Sequence, residues 1–204
     1  MILMPWRETL RRLPQVLGGL VLFGVGIALM LRAELGLAPW DVLHQGIADR
    51  TGLPVGTVII LAGVVILLGF IPLRERIGLG TVLNTIVIGL SVDATMAVLD
   101  PIEPVAVRIA AMLAGPVAMG VGAAVYIGAG LGPGPRDGLM TGFARRGPAI
   151  WKVRTAIELV VLVSGIALGG TVGVGTIWFA VSIGPFIQLT MPHVTIDEPV
   201  AEAA

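Results

Sequence analysis

The chain is predicted to be an all-α, polytopic membrane protein, with six transmembrane helices arranged as two inverted three-helix repeats that carry short broken or re-entrant helical segments. Three observations predict it. Of 204 residues, 56% are hydrophobic and 13% charged, and mean hydropathy is +0.97, whereas about a quarter of a soluble domain is charged. Six stretches approach the roughly 20 apolar residues that cross about 30 Å of hydrocarbon. Finally, L-G-L-A-P-W-D at Leu35 to Asp41 returns as L-G-P-G-P-R-D at Leu131 to Asp137.

That recurrence is part of a longer duplication. At the 96-residue offset from Asp41 to Asp137, Gly26 meets Gly122, Ala33 meets Ala129, Gly36 meets Gly132, Pro39 meets Pro135, Gly46 meets Gly142 and Arg50 meets Arg146, with no gap. Further on, G-L-G-T at Gly78 to Thr81 matches G-V-G-T at Gly173 to Thr176 one residue out of that register. Internal repeats of this kind decide the fold before any local pattern does.

The six apolar stretches are Leu13 to Leu31, Val55 to Leu73, Ile77 to Leu99, Ile109 to Ile127, Ala149 to Leu168 and Thr171 to Met191. The first follows Arg7, Arg11 and Arg12 and superficially resembles a secretory signal. It is too long for one and belongs to the duplicated unit, so it is read as a retained helix. The fifth is interrupted early by Lys152, Arg154 and Glu158, and is counted because its repeat partner is uninterrupted. The chain thus divides into a cytoplasmic amino-terminal segment (1–12), a first membrane repeat (13–99), a second (105–191) and a polar carboxy-terminal tail (192–204) expected to be disordered.

Charge placement sets the orientation. With a cytoplasmic amino terminus, ten of the 13 basic residues fall on inner segments, and only Arg32, Arg50 and Arg108 fall outside. Basic loops resist translocation, so both termini are expected in the cytoplasm of a bacterial inner-membrane protein. Three spans per repeat then insert the second copy upside down, about a pseudo-two-fold axis in the membrane plane. Many secondary transporters are built this way, with their site where the repeats meet. The glycines that recur at helical spacing, such as Gly18, Gly19, Gly24 and Gly26, are read as close helix contacts.

The duplicated segments are where chemistry is expected. Gly36 and Pro39 in one copy, and Gly132, Pro133, Gly134 and Pro135 in the other, break the helical ladder. A short helix should restart at Pro39 and Pro135, running to about Arg50 and Arg146, with Trp40 and Asp41, or Arg136 and Asp137, in its first turn. Such backbone is tolerated at membrane depth only inside protein or along a wet cavity. Two readings stay open: paired re-entrant segments lining a pathway, or interfacial turns leading into surface helices, with the two aspartates as ordinary caps.

Charged and polar groups inside spans add Asn84, Asp93, Arg154 and Glu158 to the candidates. Asp93 is expected to face Arg32 across helices. Arg154 and Glu158 are spaced for an i, i+4 pair. His44 sits three residues after Asp41, yet no further ligands accompany them, so no metal is expected. The G-x-G-x-G run at Gly128 to Gly132 follows a spanning helix instead of a strand, which removes the dinucleotide reading. With no cysteine, no nucleophile and base pair and zero net charge, neither an enzyme, a cofactor nor a nucleic-acid partner is expected.

The runs L-G-L-A-P-W-D-V-L-H-Q-G, I-P-L-R-E-R-I-G-L-G-T-V-L-N, Y-I-G-A-G-L-G-P-G-P-R-D-G-L-M-T-G and G-G-T-V-G-V-G-T together resemble the bacterial YczE membrane proteins of the YczE/YyaS/YitT group. The resemblance implies an inner-membrane multispan protein and carries no substrate with it. Its motif positions include Gly80, Thr81, Gly175 and Thr176 beside the two broken segments. The leading expectation is a small-solute secondary transporter or exporter in the lipid bilayer, with Pro39, Trp40, Asp41, Asn84, Asp93, Pro133, Pro135, Arg136, Asp137, Arg154 and Glu158 along its pathway. The alternative is a non-transporting membrane partner of a biosynthetic or envelope complex. Solute identity, coupling ion and homo-oligomerisation stay open.

Overall fold

Apolar runs of this length, with glycine and proline at their borders, fold as helices and as nothing else. The computed structural model describes residues 5–196, which hold eight helices and no strand. They are α1 (Trp6–Ala33), α2 (Pro39–Thr51), α3 (Val55–Leu73), α4 (Leu79–Val98), α5 (Val105–Gly128), α6 (Pro135–Ala144), α7 (Ile150–Leu168) and α8 (Val174–Val194). Five of them, α1, α3, α4, α5 and α8, are long and apolar enough to cross a membrane. The short helices α2 and α6 fall where the two broken segments were expected to restart.

Boundaries differ from the expected spans at polar ends. The first helix begins at Trp6 instead of Leu13, because Glu8 and Arg12 pair one turn apart and carry the helix through its basic flank. The last runs to Val194, past the expected end at Met191, and is held there by Gln15, whose Nε2 donates to the Val194 carbonyl at 2.7 Å. Most of the expected tail, from residue 197 onward, lies outside the described residues. Helix α7 carries three charges in its first turns, Lys152, Arg154 and Glu158, and for that reason is not among those five.

The core forms around α1 and α5, which run antiparallel. At one end Arg12 donates to the Ala129 carbonyl at 3.1 Å, and at the other Arg108 donates to the Ala33 carbonyl at 2.7 Å. Between them the backbones touch. A Cβ on Gly122 would lie 2.6 Å from the Gly19 carbonyl, and one on Gly26 would lie 2.6 Å from that of Gly115. These two contacts are the same contact shifted by the repeat, since Gly19 corresponds to Gly115 and Gly26 to Gly122. Val16, Leu20, Ile27, Met30, Met119 and Ala123 close the core around this crossing.

Other pairings follow in the same paired manner. Helix α4 packs on α1 where Gly24 meets Ser91, and α8 packs on α5 where Gly120 meets Phe186. Helix α2 crosses to α7 in the other half, and α6 crosses to α3. Arg50 donates to the carbonyls of Ala167 and Leu168 at the end of α7, while its counterpart Arg146 donates to that of Pro72 at the end of α3. Each guanidinium thereby satisfies terminal carbonyls that a helix leaves free.

The crossing contacts generate a stability prediction. Replacing Gly26 with Leu should lower the thermal unfolding midpoint in detergent, by the roughly 1–3 kcal/mol of an overpacked site or more. Gly184→Ala, where nothing lies within 4 Å of the added carbon, should leave it unchanged. Equal midpoints for the two variants would refute the crossing as the structural centre.

Candidate functional site

The two short helices begin alike. The chain leaves α1 and α5 through glycines in the left-handed region, Gly36 at φ 116° and Gly132 at φ 122°, which side-chain-bearing residues avoid. It then docks on the other half. Gly175 at the start of α8 donates its amide to the Leu35 carbonyl at 2.8 Å, and Gly80 at the start of α4 donates to the Leu131 carbonyl, also at 2.8 Å. Buried Thr81 adds a third tie, donating through Oγ1 to the Pro133 carbonyl at 2.8 Å. Pro39 and Pro135 then occupy the first helical position of α2 and α6. Neither helix has a side-chain cap, which corrects the reading of Asp41 and Asp137 as ordinary caps: both carboxylates lie inside the first turn.

The starts of α2 and α6 meet. Arg136 lies over the Trp40 ring, 5.1 Å from its centroid, and its Nη2 is 3.4 Å from Asp41 Oδ1. Asp41 is enclosed, at 1% exposure, and the same Oδ1 lies 3.3 Å from His44 Nδ1. One positive side chain from the second repeat thus neutralises a buried carboxylate of the first. Uncompensated, that charge would be costly in such surroundings. Both helices also aim their positive dipole ends and free amides at the junction.

A cavity of about 340 Å³ opens at this junction. Pro39, Trp40 and His44 form one side, and Pro135, Arg136, Asp137 and Met140 another. Asn84 closes it from α4, Tyr126 from α5, and the Arg154 and Glu158 pair from α7, where Nε and Oε1 are 3.0 Å apart. The remaining wall is apolar, including Phe23, Ile59, Ile88, Phe179 and Ile183. A second cavity of about 240 Å³ lies beside the first at the start of α7. The two share Asp137, Met140 and Arg154 as lining. Polar groups converging within an otherwise apolar concavity are the usual form of a small-molecule site.

Of the residues expected along a pathway, Pro39, Trp40, Asn84, Pro135, Arg136, Asp137, Arg154 and Glu158 line this cavity. Asp41 lies directly behind it, and Pro133 anchors the broken segment through Thr81. Asp93 is elsewhere. Its expected partner Arg32 instead donates to the Met96 carbonyl at 2.5 Å. Asp93 accepts from the Gly56 amide at 2.6 Å and from Thr57 Oγ1 at 3.1 Å, joining α4 to α3. Carbonyls at the end of α4 are unsatisfied and near, and they outcompete a carboxylate that already has two donors. Tyr126 and His44 were missed as lining residues. Nothing in one sequence distinguishes a Tyr near a helix end from an interfacial anchor, and His44 has no counterpart in the second repeat, where Met140 stands.

No metal-binding group of three or more His, Cys, Asp or Glu exists among the described residues.

Long apolar helices around a cavity lined by two mirrored helix starts define an integral membrane protein. The chain belongs to the family of unknown function DUF6198, whose profile matches residues 10–192. It is 38% identical over 200 residues to an uncharacterized protein of Haemophilus influenzae, covering 95% of this chain and 92% of that one. It is also 34% identical over 179 residues to the uncharacterized membrane protein YczE of Bacillus subtilis, covering 86% and 83% of the two. A third relative, the uncharacterized protein YyaS of the same organism, is 26% identical over 184 residues, covering 86% of this chain and 90% of its own. The resemblance to YczE proteins is thereby shown. No solved structure matches the chain.

The Arg136 and Asp41 contact is open to a direct check. Arg136→Met should destabilise the protein by about 3–5 kcal/mol, the usual consequence of stranding a buried charge. Adding Asp41→Asn should restore part of the loss, as read by thermal unfolding in detergent. A double variant no more stable than Arg136→Met would show that the pair is incidental.

Proposed function

We propose that the protein is a small-solute secondary transporter or exporter, built from two inverted three-helix repeats with its site between them. The single observation that carries this reading is that both broken segments, 96 residues apart in sequence, line one cavity with charged groups in its wall. Glycine and proline breaks at matched positions mark the binding site in transporters of this build. Their backbone is admissible at membrane depth because it faces protein and cavity instead of lipid, which favours re-entrant over interfacial segments.

The inversion is supported by which helix ends share contacts. The end bearing Arg12 also holds the end of α5, the end of α8 and the start of α4, through Ala129, Val194 and the Gly80 to Leu131 bond. The opposite end holds the end of α1, the start of α5 and the start of α8, through Arg108 and the Gly175 to Leu35 bond. Helices α1, α4 and α7 therefore run one way and α3, α5 and α8 the other. Counting α7 as the sixth span fits its place between α6 and α8, with Arg154 and Glu158 turned to the cavity. Both termini then lie on the side richer in basic residues, read as the cytoplasmic side of the inner membrane.

The cavity suits a small organic solute with a polar group. Its volume is at the low end of the roughly 300–1,000 Å³ of ligand sites, and its walls offer apolar contact with a few charged and hydrogen-bonding groups at one flank. No bond-making step is assigned, and the partners proposed are lipid and solute alone, with no nucleic acid.

Purified protein in liposomes, challenged with a panel of small organic solutes under pH and ion gradients, should carry at least one of them. Flux should fall about tenfold or more in Asp137→Asn and Arg136→Gln, the effect of losing one or two charge-assisted contacts. Silence across the panel, together with a membrane protein that co-purifies stoichiometrically, would replace the carrier with a partner subunit.

A further inference from the structure

The repeats agree in every major helix pairing except one. Helices α3 and α4 are sealed together: Gly56 and Gly89 meet backbone to backbone, and Asp93 binds the Gly56 amide and the Thr57 hydroxyl. The second repeat offers α7 and α8 in the equivalent places, each in register with its twin. There Trp151 stands for Gly56, Lys152 for Thr57, Gly184 for Gly89 and Gln188 for Asp93. Yet α7 and α8 are not closely packed along their length among the described residues. Nothing lies within 4 Å of a Cβ placed on Gly184, and Trp151 is 64% exposed.

The main cavity has wall residues on both helices of the loose pair, Arg154 and Glu158 on α7 and Ile183 and Ile187 on α8, and it extends along α7 toward α6. The space of about 240 Å³ next to the main one is bounded by Ile150, Trp151 and Arg154 at the start of α7, with Asp137, Met140 and Thr141. By the inversion, this is the end of the molecule that carries the amino terminus. The clamp of Gly56, Gly89 and Asp93 lies at the other end, beside the Arg32 and Met96 contact. One end of the pathway is therefore latched, and the end related to it by the repeat is ajar.

We infer that Asp93 is the latch of a gate: the structure is the state open toward the amino-terminal side through α7 and α8, and release of Asp93 opens the opposite side through α3 and α4. Resting on the carrier reading, this supplies its two states and the residue that divides them. Two packings that differ by a few hydrogen bonds are what a shift of population requires. The carboxylate holds two donors on the neighbouring helix, so its loss removes interactions made in one state alone. Helix α7 has glycine at neither twin position, because Trp151 replaces Gly56 and Glu158 replaces Gly63. Closing α7 on α8 thus needs side-chain movement, while α3 on α4 closes backbone to backbone.

The absence of cysteine makes access measurable without knowing the solute. A single cysteine at Ile66, a cavity-lining position on α3, is reacted with a membrane-impermeant maleimide in sealed vesicles whose sidedness is read from an epitope tag at the amino terminus. Labelling should be fast from the amino-terminal side and slow from the other. Asp93→Asn, and separately Thr57→Val, should raise labelling from the far side by about tenfold, the shift expected for one charge-assisted hydrogen bond. Should Asp93→Asn fail to fold, a Trp151→Cys, Gln188→Cys pair reads the reverse state: oxidation should form a disulfide, since closure brings those twins as near as Gly56 and Asp93 are now. Equal labelling from both sides, labelling from neither, or no disulfide would each overturn the gate. Labelling as stated in a protein that carries no solute would sink the carrier reading instead and leave the two-sided opening in place.

Discussion

Everything in this architecture depends on an exchange of backbone hydrogen bonds between its halves. Leu35 gives its carbonyl to the Gly175 amide, and Leu131 gives its carbonyl to the Gly80 amide. Each broken segment would otherwise present bare peptide groups to lipid, at a cost of several kcal/mol for each unsatisfied group. Neither half can satisfy its own segment, because the donor glycine lies on the first turn of the other half's last helix. The two repeats are therefore obligate partners, and their glycines are the hardware of that partnership: a Cβ at position 36, 80 or 175 would come within 3 Å of the facing backbone, and position 132 needs the left-handed φ that glycine allows.

From that docking the site follows. Holding both segments in place sets the first turns of α2 and α6 against each other, and two positive helix ends facing one space require negative charge. Asp41 and Asp137 supply it at identical places in the two copies, and their fates then differ. Asp41 is enclosed, ion-paired with Arg136 and within hydrogen-bond reach of His44, whereas Asp137 faces the cavity. One aspartate has become structure and the other stands in the cavity wall.

Much of this was legible in the sequence because it is encoded in repetition and in backbone chemistry. Eight of eleven expected pathway residues line the cavity, since glycine and proline leave the chain few ways to run. Proline at the first helical position and the paired arginines at 50 and 146 were readable for the same reason. What was not legible depends on partner choice across helices. Asp93 was matched to Arg32 by side of the membrane, yet a helix end full of free carbonyls took Arg32 and two donors on α3 took Asp93. The place of Tyr126 near a helix end does not by itself distinguish an interfacial ring from a buried one. Its burial comes from the α1 and α5 crossing, which brings Gly19 against its backbone.

Divergence between the copies explains why the site is lopsided. At matched positions the first repeat has Trp40, Ile59 and Gly63 where the second has Arg136, Arg154 and Glu158. The second repeat thus contributes most of the charge, and its α7 carries three charged residues where its counterpart α3 carries none. Charges among apolar helices are accommodated only where they face protein or water, and on α7 Arg154 and Glu158 face the cavity. Helix α3 lines the same cavity without a charged residue and packs backbone to backbone on α4. A duplication that had kept both copies alike would have to place charge at two flanks or at none, and would lose the difference between a tightly packed helix pair and a loose one.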